Sequence, residues 1–74
     1  MSEEYRPISC ASHERLEFAV LKRQWLDINV KQGEHVGRHR LLPLDVYARE
    51  GVEWLEAQTD AGEKLTFRLD WLSF

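Results

Sequence analysis

A chain of 74 residues with 43% hydrophobic and 31% charged side chains is the size and composition of one ordinary folded domain. At this length only about 60% of the surface exposed by the unfolded chain is buried, so the core must be single and compact. A net charge of −3 argues against a dedicated grip on nucleic-acid phosphates, no apolar run approaches the roughly 20 residues of a membrane helix, and one cysteine allows neither an internal disulfide nor a Cys-rich metal site.

In chain order, residues 1–4 read as frayed, and Tyr5 to Ser9 as extended, because Pro7 disfavours the helical region for Arg6. Ser12 is a good N-cap and predicts a helix over 12–22, with Glu14 in the first turn where the helix dipole favours an anion. Leu16, Ala19 and Val20 fall on one face; Glu14, Glu17 and Lys22 are left to solvent, and Phe18 lies off the apolar stripe. From Trp25 the period becomes two: Leu26, Ile28 and Val30 alternate with Asp27, Asn29 and Lys31, the pattern of a half-buried strand. Gln32-Gly33 marks a turn. Glu34 to Leu42 predicts a second strand with a bend at Gly37, ended by Pro43, and Leu44 to Ala48 reads as a connection. Arg49-Glu50-Gly51 is a turn before a strand over Val52–Gln58, and Thr59-Asp60-Ala61-Gly62 another. Glu63 to Asp70 alternates most cleanly, with Leu65, Phe67 and Leu69 inward, and Trp71 to Phe74 predicts a last short strand. A mainly β fold with one N-terminal α-helix follows. Its strands, over residues 25–74, are expected to bend into a small antiparallel barrel rather than leave a flat edge exposed.

Few residues offer chemistry. His35 and His39 with His13 suggest a metal, but on a strand a four-residue spacing separates side chains by about 13 Å, too far for one ion, so no metal or other cofactor is expected. Ser9, Cys10, Ser12 and His13 lie close together without a glycine-rich elbow or oxyanion framework, so they read as a cap and a buried thiol, and no enzyme is expected. Arg38 and Arg40 raise an alternative, a single-stranded RNA-binding module with aromatic faces such as Trp25 or Trp71. Glu14 and Glu17 make the helix surface acidic. The acidic, polar first residues do not read as a signal peptide, and with one cysteine they predict a cytoplasmic protein.

Tyr5, Pro7, Ile8, Cys10, Leu16, Glu17 and Ala19, followed in register by Gly33-Glu34, Val52-Glu53 and Arg68-Leu69-Asp70, together resemble the Rof/YaeO family of Rho-binding antiterminators across nearly the whole chain. The resemblance implies one Sm-like barrel domain over residues 1–74, and a monomeric inhibitor that binds the N-terminal RNA-binding region of the transcription termination factor Rho. Such a protein competes with RNA without binding nucleic acid or membrane itself. Carried over by position, the contact surface falls on His13, Glu14 and Glu17 at the helix start and on Arg49, Glu50 and Gly51 at the turn. Ala11 and Ser12 stand where relatives have acidic residues, and Glu50 where they have a basic or polar one.

Overall fold

The computed structural model describes residues 8–74. It orders them as α1 (Cys10–Lys22), β1 (Leu26–Val30), β2 (Gly37–Arg49), β3 (Val52–Thr59), β4 (Lys64–Arg68), a 3-10 turn over Leu69–Trp71, and β5 (Leu72–Ser73). The expected frayed start and the Tyr5–Pro7 part of the expected extended run fall outside those residues, and Ser9, at the end of that run, is extended.

The helix begins two residues earlier than its sequence suggested. Ser9 is the cap: extended, it accepts a hydrogen bond on Oγ from the Ser12 backbone N–H at 3.2 Å. Ser12 is thus the third helical residue. Glu14 lies beyond the first turn, which carries no acidic residue, so the expected dipole stabilisation does not reach it. At the far end Arg23 turns into the left-handed region (φ 54°), and its N–H and that of Gln24 both close on the Ala19 carbonyl. Leu16 and Ala19 are fully buried and Val20 is half-buried, so the apolar face read from the sequence is the one pressed against β2.

The strands form one antiparallel sheet in the order β4-β3-β2-β1-β5. Ile28 and Val30 of β1, Leu41 of β2, Leu55 of β3 and Phe67 of β4 meet Leu16 in the core. Burial of a side chain of this size stabilises by about 1.5–3 kcal/mol.

β2 departs most from expectation. It neither starts at Glu34 nor ends at Pro43, and the expected connection at 44–48 is strand. Its first part pairs with β1, from Gly37↔Val30 to Leu41↔Leu26, and its second with β3, from Leu41↔Thr59 to Arg49↔Val52. Past Leu41, therefore, β3 is its sole strand partner among the described residues. A proline is tolerated in such a one-sided stretch and at a bulge, and the register shift between Pro43 and Asp45 lies at this point. Along this half α1 takes the place of a third strand, its end near Leu42–Leu44 and its middle near Asp45 and Val46.

β4 and β5 occupy opposite edges of the sheet, yet three residues join them. Four Cα steps span at most about 14 Å, whereas four strand spacings in a flat sheet span about 19 Å. The sheet is therefore strongly curled. It is nonetheless open, because its two edges do not pair among the described residues, and the expected barrel closure is not observed.

The joining segment is a 3-10 turn, not the start of a strand, and the last strand is only Leu72–Ser73. Arg68 Nε and Nη2 donate to the two carboxylate oxygens of Asp70 at 3.1 and 2.8 Å, and the guanidinium sits 5.6 Å from the centre of the Trp71 ring. The Trp71 backbone carbonyl accepts from the Lys31 N–H at 2.7 Å. Gly33, at φ +96°, lies so close that a Cβ there would stand 2.9 Å from Trp71 Cζ3.

Candidate functional site

His13, Glu14 and Glu17 project from the first half of α1 and line an open cleft of about 360 Å³ with Ile8, Cys10 and Glu53. His13 is held on both sides. Its Nδ1 lies 3.2 Å from Glu17 Oε1, one turn along the helix, and its Nε2 lies 2.8 Å from Glu53 Oε2 on β3. A neutral imidazole carries one N–H, so both contacts are hydrogen bonds only for the protonated ring. With a proton on Nε2 the ring donates to Glu53 and pins α1 to the sheet, and its side chain keeps 27% of its exposure.

Glu53 stands two residues past the β2–β3 turn, so this contact brings the two segments predicted as a surface to neighbouring places. Arg49, Glu50 and Gly51 are exposed. Glu50 and Gly51 form a two-residue hairpin turn with φ of 54° and 78°, the left-handed pair that a right-twisted hairpin requires. Glycine adopts this freely; the glutamate is strained by about 1–2 kcal/mol.

Arg38 and Arg40 lie in the first part of β2, away from this cleft, opposite Asn29 and Asp27. Both are exposed, and Arg40 Nη1 is 3.5 Å from Asp27 Oδ1. Trp25 is 37% exposed and Trp71 is partly buried in the Gly33–Arg68 contact.

Two expectations need correcting. His35 is in a turn rather than on a strand, and the chain reversal before Gly37 brings its ring to 6.5 Å from that of His39, far inside the expected separation. The contact is nevertheless a packing one: His39 Nε2 lies 2.7 Å from the His35 carbonyl oxygen, which can only accept, and the His35 ring meets Phe67 edge-on. His13 is engaged elsewhere, and no group of three or more His, Cys, Asp or Glu fit to hold a metal occurs among the described residues. Cys10, expected as a buried thiol, is exposed at the start of α1.

No model of a known protein family matches the chain. The Rof proteins of Escherichia coli K12 and of Shigella flexneri are each 33% identical to it over 70 residues, spanning 95% of this chain and 79% of theirs. The chain belongs to the Rof family.

In this Rof-family chain the segments that carried the resemblance have visible structural work. Arg68 and Asp70 close the turn between the sheet edges, Gly33 admits the Trp71 ring, and Glu53 holds His13. Glu53 was not predicted as a site residue; its only signal was its place in Val52-Glu53, since a pair forty residues apart leaves no local pattern. Asp45 was missed because its segment read as a connection, whereas the bulge of β2 sets it across from Glu17.

Among the described residues, no helix is long and apolar enough to cross a membrane.

Proposed function

We propose that this Rof-family protein inhibits Rho-dependent transcription termination by binding the N-terminal primary RNA-binding region of Rho and competing with RNA. It acts as a monomeric, single-domain, Sm-like cytoplasmic protein, without enzymatic activity or cofactor, and without binding RNA itself. The observation that carries this reading is the presentation of Glu14 and Glu17 to solvent on one ordered helix of a chain with Rof relatives. A groove that neutralises RNA phosphates with Lys and Arg meets in these carboxylates a competing anion, and complementary charge speeds encounter and selects the partner. His13 contributes by fixing the helix through Glu17 and Glu53, so that the carboxylates are offered in one arrangement. Arg49, Glu50 and Gly51 extend the contact at the neighbouring hairpin.

The alternative, direct RNA binding through Arg38 and Arg40, has weaker support, because the Arg40 guanidinium already faces Asp27. Competition separates the two readings. With purified Rho and a labelled pyrimidine-rich RNA, this protein displaces the RNA from Rho, and the Glu14→Lys, Glu17→Lys double variant displaces it about tenfold less well or worse. Direct binding of the RNA to this protein, abolished by Arg38→Glu with Arg40→Glu, would overturn the proposal in favour of the RNA module.

A further inference from the structure

The outward face of α1 carries more than charge. Phe18 is 53% and Leu21 81% exposed, two large apolar side chains adjacent on one helix face, with Lys22 Nζ 5.8 Å from the centre of the Phe18 ring. They follow Glu14 and Glu17 by four residues each, so every carboxylate has an apolar neighbour one turn further along the helix. Beside Leu21 a groove of about 220 Å³ runs between α1 and β2, walled by Val20, Leu21 and Val46, with Glu17 on one side and Asp45 on the other. Asp45 owes that place to the bulge after Pro43.

Charge selects the occupant. A second copy would bring another chain of net charge −3 against Glu14, Glu17 and Asp45, and an anionic lipid surface would be repelled by the same groups. A Lys or Arg side chain fits: its methylene stem lies along Val20, Leu21 and Val46 while its cationic head reaches the two carboxylates. Exposed ion pairs alone are worth only about 0–1 kcal/mol each. The affinity of an anionic helix for a basic partner therefore needs a desolvated apolar centre, and Phe18 and Leu21 supply one.

We propose that Phe18, Leu21 and the α1–β2 groove are the apolar centre of the surface that docks on the basic RNA-binding region of the protein partner, with Asp45 as its third carboxylate. This rests on the Rho reading and adds to it which contacts hold the complex once charge has formed it.

Binding of full-length Rho to the wild type, to Phe18→Ser with Leu21→Ser, and to Asp45→Asn, measured across a salt series, tests it. The apolar double variant is expected to bind about tenfold more weakly or worse at every salt concentration, with an unchanged salt slope. Asp45→Asn should lose about threefold at low salt, with a shallower slope and convergence on the wild type at high salt. Both changes are at the surface, and an unaltered thermal midpoint confirms that the fold survives. Wild-type affinity in the double variant overturns the inference and leaves the Rho reading standing. Failure of the wild type to bind Rho overturns both. A wild-type dimer made monomeric by the double variant, with Rho binding unaffected, assigns the face to a second copy and also overturns it.

Discussion

Two regions of the molecule treat their charged groups in opposite ways. Around the 3-10 turn the charged groups are closed on one another: Arg68 and Asp70 each retain 13% exposure and meet at two points, and Gly33 is pressed onto Trp71, whose buried Nε1 finds no hydrogen-bond partner among the described residues. On the outer side of α1, Glu14 and Glu17 stay exposed beside Phe18 and Leu21. A polar group consumed by its neighbours shapes the fold, whereas one left beside exposed apolar surface is available to a partner. Arg68 and Asp70 thus hold structure, whereas Glu14 and Glu17 remain exposed, Glu17 with a contact to His13.

Substitutions in the two regions sharpen that division. Gly33→Ala adds a Cβ that meets Trp71 and a φ unfavourable to it, and is expected to destabilise by about 2–4 kcal/mol in denaturant unfolding. Arg68→Ala leaves the Asp70 carboxylate nearly buried without its bidentate partner and uncovers the Trp71 ring; a loss of about 2–3 kcal/mol is expected by the same measurement. At the hairpin, Glu50→Asn relieves a glutamate held at φ 54° and should raise stability by about 0.5–1 kcal/mol, read as a higher thermal midpoint. The Glu14→Lys, Glu17→Lys pair gives up only the exposed contact of Glu17 with His13 and should cost no more than about 1 kcal/mol, while removing competition with RNA. An effect of this pair as large as that of Arg68→Ala would erase the distinction between the two regions.

Where one face of an element is buried and the other wet, the sequence was readable. Leu26, Ile28 and Val30 mark β1, Phe67 marks the buried side of β4 with Leu69 in the turn after it, and Leu16 with Ala19 mark the packed side of α1. The pattern failed where a neighbour rather than the residue itself decides. Ser9 and Ser12 are equally competent caps, and nothing local says that Cys10 and Ala11 join the helix. Pro43 looks like a strand terminator, but β1 has already ended at its level, so the missing N–H interrupts no second ladder. Curl without closure was also beyond the pattern, since alternation defines strands and not whether their outermost edges meet. Of the predicted site, His13, Glu14 and Glu17 lie on α1 and Arg49, Glu50 and Gly51 at the exposed β2–β3 turn, whereas the nearness of Glu53 and Asp45 to the helix required the three-dimensional arrangement.

Site-directed photo-crosslinking tests the central claim most directly, with the reactive group introduced in turn at positions 14, 17 and 21 on α1 and at 38 and 40 on β2, in the presence of purified Rho. The account predicts crosslinks to the RNA-binding region of Rho from the three helix positions, suppressed by competing RNA, and none from the two strand positions. Crosslinks from 38 and 40 with none from α1 would contradict it.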